Sequence, residues 1–241
     1  MKHGLIRLAA AGVCLAAIGC GGGGGVISTD FFVRFTNNVV DLPGGVDVFV
    51  NQEPYAVSLG YGGSTPDYDN LTTEEEIYLF DLFRAGTQNI IDSWAEIPRE
   101  RESHHLVAIG AADAGSQQPL ARIVAITVNR NRPSGANARL IVVHGFVREP
   151  GRQSPNIDLL RSGKISPEVS DLAFADTQTF LLAAGTYDFE VRIAGLMSGT
   201  LFTKPGVAVE GGKVYLVVIR GVEGGSGVFA PDIQFIEEPL L

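Results

Sequence analysis

The chain has 241 residues, 45% of them hydrophobic, with 27 acidic against 18 basic side chains and a net charge of −9. That acidity argues against a nucleic-acid partner, which needs basic patches to displace counterions, and against electrostatic adhesion to anionic lipid. The only cysteines are Cys14 and Cys20, so the body of the chain offers no disulfide, zinc-thiolate site or cysteine nucleophile, and its stability must come from an apolar core.

The N-terminus carries Lys2 and Arg7, then an apolar run from Leu8 to Ile18, then Gly19 and Cys20. A basic start, a short apolar stretch and small residues at the end form the layout of a secretory signal. The run is too short to span a bilayer, which takes ~20 residues. Ala17-Ile18-Gly19-Cys20 resembles the lipobox of bacterial lipoproteins. That resemblance implies cleavage before Cys20, acylation of Cys20 and a membrane anchor made of lipid. The residue after Cys20 is glycine, not aspartate, which under enterobacteria-like sorting implies an outer-membrane address. Residues 1–19 are thus read as a signal peptide, and residues 20–29 as the acylated cysteine with a tether. Gly21 to Gly25 form a flexible link spanning only about 12 Å. Removing residues 1–19 also removes Lys2 and Arg7, so the exported part carries a net charge of about −11.

Past the tether, alternating apolar and polar residues dominate, punctuated by Gly, Pro, Asn and Asp. Val46 to Val50, Tyr187 to Ile193 and Val214 to Ile219 read as strands, and no long amphipathic helix appears. Thr73 and Glu76 have capping-box spacing, but the alternation of the matching segment from Tyr187 to Ile193 makes 76–84 a strand. The fold class is therefore all-β, with antiparallel sandwich architecture of immunoglobulin-like kind.

The two halves align at nearly one offset. Asp47 matches Asp158 at a separation of 111, Phe80 matches Phe189 at 109, Leu106 matches Leu216 at 110, and Pro119 matches Pro231 at 112. This predicts two tandem sandwich domains, residues 30–130 and 138–241, joined by a polar linker rich in breakers. Domains of roughly 105 residues can bury enough core to fold alone, so each half is expected to be self-sufficient. Phe80 and Phe189 should be buried equivalents. Tyr78, Leu82, Tyr187 and Val191 should share their face, with Asp81 and Glu190 turned to solvent.

Ala138 to His144, a proline-containing loop, and Asn156 to Leu160 resemble the opening of the bacterial family called domain of unknown function 4397. Ala184 to Val191 and Gly211 to Val218 resemble its later strands. The second half matches better than the first, where Arg34 to Asn38 has no histidine. The resemblance implies exported tandem sandwich modules and transfers no catalytic residue.

Little in the sequence points to chemistry. No Gly-x-Ser-x-Gly elbow, His-Glu-x-x-His helix or Walker loop occurs. His104 and His105 are adjacent on a strand, so they should face opposite ways and cannot share a metal; one exposed and one half-buried imidazole is expected. His144 ends a strand and should bond loop backbone. Asp47 and Asp158 recur at equivalent positions, on a solvent face or fixing a turn. Trp94 has no aromatic companions at strand spacing and reads as core or rim. Asp67, Asp69, Glu74, Glu75 and Glu76 make an acidic segment expected to be a mobile loop, with no glycine where a calcium loop needs its sharp turn. They are the candidate binding residues, and no metal site or cofactor is expected. Neither a nucleophile–base pair nor a metal set can be assembled from the sequence.

The function expected is that of a non-catalytic cell-envelope lipoprotein, anchored to the membrane by lipid, binding an envelope protein or a polysaccharide through sandwich loops or edges. A structural or assembly component is the alternative, and a glycan hydrolase using two carboxylates is a third reading.

Overall fold

A computed structural model describes residues 30–71, 77–97, 99, 101–113, 119–148 and 153–241. Its described residues are nearly all β, in the order β1 (Phe32–Val40), β2 (Val46–Val50), β3 (Glu53–Leu59), β4 (Asp69–Asn70), β5 (Tyr78–Arg84), β6 (Ile90–Glu96), β7 (Ser103–Ala111) and β8 (Arg122–Thr127). The second half follows with β9 (Asn137–His144), β10 (Ile157–Arg161), β11 (Val169–Leu172), β12 (Thr177–Ala183), β13 (Gly185–Ile193), β14 (Thr200–Val209), β15 (Val214–Arg220) and β16 (Asp232–Glu238). One 3-10 turn, Gly227–Phe229, precedes β16. No described helix is long and apolar enough to cross a membrane.

Each half is a two-sheet sandwich with the same strand plan. In the first unit the sheets run β4-β1-β7-β8 and β3-β2-β5-β6; in the second they run β12-β9-β15-β16 and β11-β10-β13-β14. Between the named strands the pairing is antiparallel except in one place per unit. β1 lies parallel to β7 and β9 parallel to β15, which corrects the wholly antiparallel expectation. The first strand of each unit joins the sheet of its seventh, and no hairpin can link strands so far apart in sequence.

The repeat is visible in the pairing register. Val50 faces Phe80 and Arg161 faces Phe189, so the Phe80–Phe189 match holds at the backbone. Both rings are fully buried. Tyr78, Leu82 and Val191 are buried on the same side, with Tyr187 packed at the margin of its core. Asp81 and Glu190 do point away from the core, but they are more covered than a solvent face implies: Asp81 is 9% exposed, and the Glu190 side chain 12%. The prolines miss by one position, because Ile109 pairs with Arg122 and Ile219 with Ile233, an offset of 111 rather than 112.

Asp47 and Asp158 fix turns in both units. Asp47 accepts the Ser58 N–H through Oδ1 (2.6 Å) and the Gly86 N–H through Oδ2 (2.8 Å). Asp158 accepts Asp171 N–H (2.8 Å) and Gly195 N–H (3.1 Å) in the same way. Ser58 and Asp171 have φ of 51° and 52°, and Gly86 and Gly195 have 69° and 73°. One carboxylate thus clamps two left-handed turns, and glycine relieves the strain at the second of them.

The two sandwiches are stacked against each other. Along β7, Leu106 and Ala108 enter the first core while Val107 and Ile109 point the other way. Along β15, Tyr215, Val217 and Ile219 enter the second core while Val214, Leu216 and Val218 point outward. Those outward residues meet, together with Ile126, Val128, Ile141, Val143 and Ile236, in a third apolar cluster between the units. The molecule is therefore four sheets deep, and its two central sheets are covered on both faces. Gly145 marks a close approach: a Cβ there would lie 2.7 Å from Ile109 Cγ2. Each unit relies on the other to cover one face of a central sheet.

Candidate functional site

The polar residues of the interface gather on one side of the apolar cluster. Arg34 and Thr36 of β1 and His105 of β7 alternate with core residues and so face the second unit, where β16 brings up Glu238. Thr36 Oγ1 lies 2.7 Å from His105 Nε2, and His105 Nδ1 lies 2.6 Å from Glu238 Oε1. Tyr68 donates its hydroxyl to Glu238 Oε2 at 2.7 Å, and Arg34 reaches that oxygen at 3.5 Å and the Glu237 carbonyl at 2.8 Å. Ser64 extends the chain with a 2.6 Å hydroxyl contact to Thr36. Arg130 stacks on the Tyr68 ring at 4.3 Å while its Nε donates to the Pro239 carbonyl.

Burial alone would raise the Glu238 carboxyl, but His105, Tyr68 and Arg34 outweigh it and hold the group below its ordinary range. Tyr68 is pushed the other way, by burial first and then by the Glu238 charge, so its phenol stays a donor.

Hydroxyl, imidazole and carboxylate in series is the arrangement that activates a nucleophile. It corrects the expectation that no such set could be assembled. Yet Thr36, His105 and Glu238 all have zero exposure, so the hydroxyl cannot meet a substrate while the units are joined. What this chain of bonds can do chemically is satisfy buried polar groups and set the register of one sandwich on the other.

The other histidines are also internal. His104 faces the opposite way from His105, as adjacent strand residues must, and packs between Phe31 (5.1 Å) and Trp94 (6.2 Å). At 4% and 0% exposure both imidazoles are buried, against the expectation of one exposed and one half-buried ring; the strand that carries them is covered on both faces. His104 Nε2 meets Glu102 at 3.1 Å. His144 holds the following loop as expected, with Nε2 2.9 Å from the Pro155 carbonyl and Nδ1 accepting the Phe146 N–H at 3.3 Å. Burial lowers its pKa to about 4, so it stays neutral at physiological pH. Trp94 sits half-buried against Phe80, at the rim of the core.

A cleft of about 610 Å³ opens at one end of the first unit, between β6 and the entry to β8. Among its charges, Arg84, Asp92 and Asp113 hold polar partners, while Arg122 lies over the Phe174 ring at 5.8 Å. Arg84 holds both oxygens of Asp113 at 2.7 Å, Asp92 accepts the Ile123 N–H at 2.7 Å, and Asp41 accepts the N–H groups of Ala112 and Asp113.

The acidic segment is only partly a loop. Asp67 is exposed, with Oδ1 accepting the Tyr68 N–H at 2.8 Å, and Asp69 is exposed on β4, the short edge strand paired with Phe32 and Val33. Pairing to β1 replaces the mobile loop expected for this part. Glu74, Glu75 and Glu76 lie outside the described residues, as do Cys20 and the rest of the N-terminal segment. Among the described residues no group of three His, Cys, Asp or Glu side chains is placed to hold a metal ion.

Sequence reasoning missed the Glu238–His105 pairing because the residues are 133 positions apart and belong to different repeats. The available signal was a pair of histidines inside the apolar strand Leu106 to Ile109, where an imidazole needs a buried partner.

No protein-family model matches the chain, and no curated protein matches it. Among solved structures, the chain is similar to the Bacillus anthracis TIE protein at 12% identity, covering 81% of this chain and 34% of that one, with a TM-score of 0.25. The chain thus spans about a third of that protein's length, and likeness of this degree leaves the function to be argued from the residues themselves.

Proposed function

We propose that this protein is a non-catalytic lipoprotein of the bacterial cell envelope, anchored through acylated Cys20 in the outer membrane and binding an envelope protein or polysaccharide through its exposed sheets and loops. The observation that carries this reading is where the reactive side chains lie. The imidazole–carboxylate pair is spent on joining two sandwiches, His144 on holding a loop, and Arg84 of the cleft on Asp113. A four-sheet body of this kind is a rigid support for surfaces that recognise a partner. The anchor rests on the lipobox-like residues Ala17 to Cys20.

Fractionation and affinity capture test the two parts. The wild-type protein should sediment with membranes and carry acyl mass on Cys20, and Cys20→Ser should release it to the soluble fraction. Mature protein should retain a specific envelope component. A Cys20→Ser protein that stays membrane-bound, with no lipid on the wild type, would remove the anchor. Failure to retain any component would favour the structural or assembly role.

A further inference from the structure

The two outer sheets are built on one plan but finish differently. In the second unit, Leu160, Glu190 and Thr203 lie side by side across β10, β13 and β14. Glu190 is neutralised from its own strand: Arg192, two residues on and so on the same face, donates to both carboxylate oxygens at 2.7 Å. In the first unit the matching row is Phe49, Asp81 and Ser93. Asp81 keeps a hydroxyl partner, Ser93 Oγ at 2.5 Å, but the position of Arg192 is taken by Phe83. Among the described residues no arginine or lysine pairs with Asp81, and residues 30–130 contain no lysine at all. A carboxylate only 9% exposed and without a cation is costly, and its neighbours are two phenyl rings 5.2 Å apart. Phe49, Phe83, Asp81, Gln52, Thr87 and Gln88 line a groove of about 310 Å³ at this place.

We infer that this groove receives an arginine side chain of a protein partner, which supplies from outside the cation that Arg192 supplies within the second unit. A guanidinium fits the chemistry on three counts. Its charge complements Asp81, its plane stacks on phenyl faces, and its remaining N–H groups can donate to the Gln52 and Gln88 side chains. The inference rests on the proposed binding role and names its partner chemistry.

The test is a titration of the isotope-labelled full-length protein, followed by NMR, with N-acetyl-arginine amide as probe and the uncharged N-acetyl-citrulline amide as control. The arginine amide should give saturable shifts at the amides of Asp81, Phe83, Thr87 and Gln88, and the citrulline amide should not. Asp81→Asn should weaken binding at least roughly tenfold. Phe83→Arg should abolish it by rebuilding the internal pair of the second unit. Equal binding of the citrulline amide, full affinity in Asp81→Asn, or competition by a neutral oligosaccharide such as maltotriose would overturn the assignment. If the arginine amide fails to bind while envelope capture still retains a partner, the groove assignment falls and the binding role stands. If the groove binds arginine and no envelope component is retained, the binding role falls instead.

Discussion

The central and outer sheets of this molecule obey different rules, although each unit contributes one of both. β7 is buried at all nine positions and β15 at all but the last, whereas β13 and β14 alternate or lie largely open. A strand covered on both faces reads as a continuous apolar run, and one covered on a single face reads as alternation. The difference teaches that the repeat is a folding plan for a pair. Each unit builds its own core from Phe80 or Phe189 and their neighbours, then presents a second apolar face that only the other unit covers.

The strongest way to break that comparison is to separate the units. Fragments 30–132 and 136–241 should each fail to melt as a cooperative monomer, because Val107 and Ile109 in one, and Val214, Leu216 and Val218 in the other, would face water. Mixing the fragments should restore one cooperative transition by calorimetry. Two sharp independent melts would show that the central faces are dispensable.

Next in size is the buried ion pair. Glu238→Ala strands His105 and Arg34 inside the interface and should cost about 3–5 kcal/mol in chemical denaturation. A cost below ~1 kcal/mol would mean that the polar side of the interface opens to water.

The smallest effect sharpens the geometry. Gly145→Ala drives a methyl against Ile109 Cγ2 across the join and should cost about 1–3 kcal/mol, whereas Gly163→Ala, with open space around it, carries only the strain of its positive φ. If Ile109→Val relieves the loss at position 145, the contact between the units is the cause, and an unchanged loss would place the cause elsewhere.

Much of the fold was legible because strands announce themselves locally. Alternation located β2 and β13, and the repeat resolved 76–84 as a strand, realised as Tyr78–Arg84. The recurring aspartates were legible as turn-fixing groups because Asx side chains act on nearby backbone, and His144 for a similar reason. The parallel pairing of β1 with β7 was not legible, since nothing in Phe32–Val40 names the strand it joins. Nor was the fate of the acidic segment, where pairing of Asp69 and Asn70 to β1 overrode a composition that reads as loop. The groove at Asp81 lay half in view: the exchange of Arg192 for Phe83 is written in the aligned repeats, but the loss of a cation matters only once the carboxylate is known to be covered.

The amino-acid sequence by itself determined the strands, their twofold repetition, the residues that fill each core and the carboxylates that clamp the turns. All of these depend on side-chain period and on contacts within one unit. The tertiary structure alone decided that the two units share a third apolar cluster, that Glu238 of β16 meets His105 of β7, and that no arginine or lysine among the described residues pairs with Asp81. Each of these joins surfaces far apart in the chain, and burial there is a property of the assembled faces rather than of any local pattern.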